Sequence, residues 1–360
     1  MPSALHRILA AVAATMLLAT LTVSAQGQGR WVTNTFAPVP EPAEEYTNVV
    51  ANGKLYLIGG NAVNVGGRSV HPARVLEYDL ATDRWTSKKP VPFGADHMAA
   101  AEHQGTIYVF GGQGPQQPNG GGPSGFPLDR TWAYDPAADS WKSLAPMPSQ
   151  RTAAAAVAVG GRIYVVGGVT SSPGAEGKPL GGDNPGLTVS ANEAYDPATN
   201  RWESRRPMPT PRNHPAAGVV GGKVYVIGGR LAAANIGGLL SSNTDVVEEY
   251  DPATNLWRPM TKMPTARSGH GWTTREGRIY VAGGEHRDSH QDAIFRDVEA
   301  FDPATDEWIR LPPMPTARHG VNLAAFGNRL YVIGGHLAFA ATGGHGLDAP
   351  LNEVFEFSQK

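Results

Sequence analysis

The stretch PMPTPRNHPAAGVVGGKVYVIGG, Pro207 to Gly229, is followed after a variable segment by VEEYDPATNLW, Val247 to Trp257, and its reading decides the fold. Val224 and Val226 flank Tyr225, an alternation that suits a half-buried strand. Gly221-Gly222 just before it can take the positive φ angles that a two-residue hairpin turn requires. A second strand therefore precedes the turn and pairs with the first. The diglycine Gly228-Gly229 ends the hairpin where a side chain would obstruct a neighbouring backbone or forbid the required φ. Tyr250-Asp251 then closes a third strand, and Asp before Pro starts a turn, because the carboxylate accepts backbone N–H bonds and the proline presets φ. Trp257 marks a fourth strand.

The same order recurs along the chain. Diglycines stand at Gly59-Gly60, Gly111-Gly112, Gly167-Gly168, Gly228-Gly229, Gly283-Gly284 and Gly334-Gly335, in steps of 52, 56, 61, 55 and 51 residues. That spacing lies near the ~50-residue period of kelch propellers and above that of WD-type blades. Strand-c endings recur at Tyr78-Asp79, Tyr134-Asp135, Tyr195-Asp196, Tyr250-Asp251 and Phe301-Asp302, and tryptophans at Trp85, Trp141, Trp202, Trp257 and Trp308. A fully buried indole removes about 150 to 250 Å² from water, on the order of 4 to 6 kcal/mol before entropy costs, so these tryptophans are expected between blades. The sixth unit has a strand c around Glu353 to Phe357 but no tryptophan after it. Trp31 lies at the other end, in GRWVTNTFAPVPEP. The N-terminal segment is therefore predicted to complete the last blade, closing a ring without an exposed sheet edge.

Six units of diglycine, Tyr-Asp, spaced tryptophan and PMPxxR, over residues 31 to 357, resemble kelch repeats. The resemblance implies an all-β, six-bladed kelch β-propeller over residues 26–360, whose blades share packing surfaces and form a single domain. Residues 1–25 carry Arg7, an apolar run from Ile8 to Leu21 and the small-residue pattern Val23-Ser24-Ala25, which reads as a secretory signal peptide cleaved after Ala25. The run falls short of the ~20 apolar residues of a membrane span. With no cysteine, no disulfide is available, and the expected location is the bacterial periplasm or the exterior. Removing Arg7 leaves 29 basic against 32 acidic residues. No basic run is interleaved with aromatics, so no nucleic-acid partner is expected. A closed ring is expected to be monomeric.

The a-to-b and c-to-d turns are short and alike, whereas the b-to-c segments (61 to 74, 113 to 130, 169 to 191, 230 to 245, 285 to 296 and 336 to 352) are long and all different. Varied loops on a rigid scaffold are where binding residues sit. His71, His286, His290, His336 and His345 lie in these segments, and His97, His214, His270 and His319 just after the d-to-a link, so nine of the ten histidines beyond His6 share one face; His103 lies near the plain face.

In kelch proteins the channel mouth is lined by the residue after the diglycine and by the two after the Arg of PMPxxR. The resemblance thereby implies Asn61, Gln113, Val169, Arg230, Glu285 and His336 for the first set. For the second it implies Glu44-Glu45, Asp96-His97, Thr152-Ala153, Asn213-His214, Ser268-Gly269 and His319-Gly320. Carboxylates of blades 1, 2 and 5 would face a basic side made of Arg230 and the imidazoles of blades 4 and 6. Such a ring suits a polyhydroxylated or zwitterionic small molecule, a glycan or a protein segment. The Arg position itself holds Arg151, Arg212, Arg267 and Arg318 in blades 3 to 6 but Ala43 and Ala95 in blades 1 and 2. Two residues before the strand-c aromatic stand Glu193, Glu248 and Glu299, against Leu76, Trp132 and Phe355 in blades 1, 2 and 6. This predicts a structural ion pair inside blades 3 to 5 and leaves Arg318 as the arginine available to a ligand.

The candidate ligand-binding residues are thus Glu45, Asp96, His97, His214, Arg230, Glu285, Arg318, His319 and His336. Glu285 to Asp292, EHRDSHQD, is the densest cluster of ligand-type residues and, with His336, His319 or His270, offers three ligands for zinc or iron. Plant specifier proteins, also kelch proteins, resemble it loosely through their use of Glu, Asp and His for ferrous iron. Galactose oxidase, kelch-like as well, needs a Cys-Tyr crosslink, which a chain without cysteine cannot form. A resemblance in fold and compartment to the periplasmic sialic acid mutarotase implies an alternative in which Glu45, Asp96, His97 or Glu285 opposite Arg230 or Arg318 exchange protons on a sugar. No nucleophile motif or phosphate loop is present, and the residues specify no cofactor.

Overall fold

The computed structural model describes residues 29–33, 36–43, 45–61, 63–65, 68–116, 124–232, 243–287, 292–337 and 352–358. Residues 1–28, which include the expected signal peptide, and Glu44, His290 and His345 lie outside them. The described residues form six four-stranded antiparallel sheets around a central axis and four two-stranded ribbons in the b-to-c segments. Blade 4 is representative. Ala216–Val220, nearest the axis, pairs with Lys223–Ile227, then Val247–Asp251, then Leu256–Met260 at the rim. Blade 6 is closed as the sequence predicts. Gly29–Thr33 is its outer strand, running antiparallel to Asn352–Phe357 in the register Gly29↔Phe357 to Thr33↔Glu353.

Repeated side-chain devices join the blades. Each strand-d indole donates to a carbonyl in the link leaving the preceding blade: Trp85 to Ala37, Trp141 to Lys89, Trp202 to Ala145, Trp257 to Arg206, Trp308 to Thr261 and Trp31 to Pro312, all between 2.8 and 3.0 Å. The six indoles are only half-buried, so each contributes less than full burial would allow. They work as seam bolts between blades. Asp83, Asp139, Asn200, Asn255 and Asp306 end the c-to-d turns with φ between 46° and 57°, a region that Asp and Asn tolerate. Each accepts a backbone N–H from the same inter-blade link.

The diglycines mark where two backbones meet. A Cβ on Gly167 would lie 2.4 Å from the Arg212 carbonyl of the next blade, and one on Gly168 would lie 2.7 Å from Thr152 O of its own. Gly168 N–H in turn donates to Arg212 O at 2.9 Å. No larger residue fits.

The buried arginines are paired as predicted in blades 3 to 5: Arg151 with Glu193 at 2.6 Å, Arg212 with Glu248 at 2.6 Å and Arg267 with Glu299 at 2.8 Å. Blade 6 corrects the expectation. Arg318 is fully buried and pairs with Glu353 at 2.8 Å, so it belongs to the blade interior and not to the ligand mouth. Leu330 faces Phe355 as Val224 faces Tyr250, so Phe355 is the strand-c aromatic and Glu353 stands two residues before it. The DPAT turn that anchors this register elsewhere is missing here, and Phe357 invites a shift of two.

Candidate functional site

The two sets of residues implied at the mouth are two sides of one device. Antiparallel bridges join the residue after the Arg position to the residue after the diglycine in blades 2 to 6: Asp96↔Gln113, Thr152↔Val169, Asn213↔Arg230, Ser268↔Glu285 and His319↔His336. These bridges form the collar of the mouth. Inside the collar sits the next residue of each blade, Glu45, His97, Ala153, His214, Gly269 or Gly320, and all six have φ between 50° and 59°. Backbone bonds stitch them blade to blade, from Ala153 N–H to His97 O, His214 N–H to Ala153 O, Gly320 N–H to Gly269 O and Glu45 N–H to Gly320 O. A left-handed φ costs a non-glycine residue roughly 1 to 2 kcal/mol. Four of the six positions bear it, three of them with Glu or His.

These residues line a cavity of about 110 Å³ on the axis, above a chamber of about 380 Å³ walled by the inner strands; Trp272 lines both. His97 Nδ1 lies 2.8 Å from Asp96 Oδ1, His71 Nδ1 lies 2.9 Å from Asp96 Oδ2, and His97 Nε2 lies 3.6 Å from Glu45 Oε2. Burial alone would raise the Asp96 carboxyl. The charge of His97 and the contacts from both imidazoles overcome that and hold it at about 2. Burial likewise opposes a charged His97, but Glu45 and Asp96 prevail and raise it to about 9. His214 behaves oppositely. Burial first, then repulsion by Arg230 and His97, pushes it well below the ordinary range, and its Nδ1 sits 2.6 Å from Asn213 Oδ1. Burial also pushes His270 down, to about 3.

The charges are arranged as neighbouring pairs, not as an acidic side facing a basic side. Arg230 Nη2 lies 3.1 Å from Glu285 Oε1, and Glu285 Oε2 lies 3.9 Å from His319 Nε2. His319 in turn packs edge-on against His336, with ring centroids 5.5 Å apart. The sequence expected the ligand-type cluster at Glu285 to Asp292. Among the described residues, the Glu/His group whose ligand atoms converge is Glu45, His97 and His214, all within 4.8 Å of one another. The register position just inside the collar was the signal for it. His71, behind Asp96, had none, because it comes from a b-to-c segment that follows no repeat pattern.

Residues 18–171 and 181–335 match the KLHDC2/KLHL20/DRC7 Kelch-repeats domain. The chain belongs to the kelch-repeat family. A Kelch motif also matches at residues 150–209. The kelch chain is 28% identical over 87% of its length to Kelch-like protein terF of Aspergillus terreus, 28% over 72% to Beta-scruin of Limulus polyphemus, and 29% over 75% to Kelch-like protein 15 of Danio rerio. It spans 66%, 27% and 43% of those relatives' lengths. The solved structure of YjhT shares the propeller fold at a TM-score of 0.65 and 20% identity, over 84% of this kelch chain and 93% of that one.

Proposed function

We propose that this kelch propeller is an exported binding module whose channel mouth receives the polar end of a ligand, a glycan terminus or a charged segment of a protein. The observation that carries this reading is the collar itself, with Glu45, His97 and His214 lining a cavity of about 110 Å³ and Arg230 in the collar beside them, paired with Glu285. That volume is well below the ~300 to 1,000 Å³ of pockets that enclose a drug-sized ligand. The occupant is therefore a protruding group, with the rest of the ligand lying on the b-to-c segments. Charges already paired across the collar can exchange a partner for a hydroxyl or carboxylate without stranding a buried ion. A protein segment stands beside the glycan because kelch propellers generally bind protein partners.

Two measurements test this. The exported protein should begin at Gln26 on N-terminal sequencing. Purified protein screened against immobilised glycans and peptides should retain a polar ligand, and Arg230→Ala should weaken that binding at least tenfold in protein that circular dichroism shows to be folded. Equal affinity of Arg230→Ala for every captured ligand would place the binding face elsewhere. Chemical conversion of a captured sugar, in place of simple retention, would favour the enzyme reading of the same mouth, for which the convergence of Glu45, His97 and His214 speaks.

A further inference from the structure

Three side chains from blades 1, 2 and 4 meet at the axis although 52 and 117 residues separate them in sequence from Glu45 to His97 and from His97 to His214. We infer that Glu45, His97 and His214 form a binding site for one divalent transition-metal ion, of the zinc or ferrous-iron class, at the throat of the channel. The inference does not depend on which polar ligand the mouth receives.

The donor set is two imidazoles and one carboxylate, the combination that holds catalytic zinc and non-haem iron with positions left open. Each imidazole is already oriented for coordination. The Nδ1 atom of His97 is engaged by Asp96 and that of His214 by Asn213, which turns both Nε2 atoms towards the axis. A second partner of this kind is what metal-bound histidines require to fix tautomer and ring direction. His214 Nε2 is buried and has no hydrogen-bond partner, so the ring points a lone pair at the cavity with nothing there to receive it. His97 Nε2 points at Glu45, and the two rings meet at right angles with centroids 5.1 Å apart.

The ligand atoms span up to 4.8 Å, whereas atoms bound to one zinc at ~2.0 to 2.1 Å stand roughly 3.3 Å apart. Side-chain torsions supply that contraction, and the backbone ring need not move. The neighbouring positions leave room for further ligands, since blade 3 contributes only Ala153 there and blades 5 and 6 contribute Gly269 and Gly320. The open side of the metal would thus face the mouth, where a water or a ligand oxygen can complete the coordination.

The test is calorimetric titration of chelator-treated full-length protein with zinc chloride, repeated with cobalt chloride for its visible absorption. One equivalent should bind, and cobalt should show the intense visible bands of a low-coordinate nitrogen and oxygen site. His97→Ala and His214→Ala should each weaken binding more than tenfold, and Asp96→Asn about 10- to 100-fold through loss of ring orientation. His103→Ala, at the end of the strand Ala99–His103 and near the plain face, should bind as the parent does. Melting temperatures in chelator establish that each variant is folded, and His214→Gln is a milder alternative if His214→Ala is not. Binding below one equivalent, binding that survives in His97→Ala and His214→Ala, or binding lost in His103→Ala would each overturn the assignment. An intact Arg230 ligand phenotype with no metal binding would sink this inference alone and leave the mouth reading standing.

Discussion

Arg212 is wholly buried and has its carboxylate partner, Glu248, at 2.6 Å; Val246 O accepts from the same guanidinium at 2.6 Å. A buried pair of this kind contributes little net stability over an apolar substitute, yet removing one member strands a charge at a cost of about 3 to 5 kcal/mol. The protein contains its own control, since blades 1 and 2 place Ala43 with Leu76 and Ala95 with Trp132 at the same positions. Glu248→Ala should therefore destabilise by about 3 to 5 kcal/mol in urea unfolding. The double substitution Arg212→Ala with Glu248→Leu, which copies blade 1, should recover at least half of that loss. Sequence spacing was enough to couple Arg to Glu in blades 3 to 5. It failed at Arg318 because Glu353 can be aligned only by the hydrogen-bond register of strand c, not by the residues that follow it.

At the scale of an element, strand c of blade 4 carries Glu248 inward and Glu249 to the other side. Burial would raise the Glu249 carboxyl. Two bonds from Arg258 at 2.6 Å, one from Tyr225 at 2.7 Å and one from Lys223 at 3.2 Å reverse that and hold it at about 2. In the unfolded chain the same carboxyl takes up its proton near 4.5, so between these values the unfolded state binds more protons than the folded one. The stability that Glu249 contributes is complete above pH 4.5 and is lost as pH falls towards 2. Glu249→Gln should lower the melting temperature at pH 7 and flatten its decline between pH 4.5 and 2, as followed by circular dichroism. The turn at the end of this strand was legible from Asp251-Pro252. The second role of Asn255, accepting from both the Tyr250 hydroxyl and the Arg206 N–H of the link leaving blade 3, was not, because its partners lie in another strand and in the link from another blade.

The whole molecule is held by one long-range pairing. Gly29–Thr33 and Asn352–Phe357 are more than 300 residues apart in sequence, and with them come the Trp31 bond to Pro312 and the packing of Trp31 on Phe355 at 5.3 Å. Deleting the chain through residue 34 should expose strand c of blade 6 as a bare edge. The truncated protein is expected to lose cooperative unfolding and to associate on size-exclusion chromatography. A monomer with the parent's melting temperature would show that the ring closes by other means.

The repeat, its six copies, the strand order and the borrowed outer strand were all determined by the sequence alone. The reason is physical. Diglycines, Asp-Pro turns and tryptophans act locally, through φ angles and side-chain volume, at a fixed step along the chain. The pairing of Arg230 with Glu285, the burial of Arg318 and the meeting of Glu45, His97 and His214 were decided only by the tertiary structure. The burial of Arg318 depends on the strand register within blade 6, whereas the other two depend on how far one blade is rotated and shifted against another, and that angle is written in no single repeat. It arises when six sheets pack around one axis and their left-handed corners are forced to face inward.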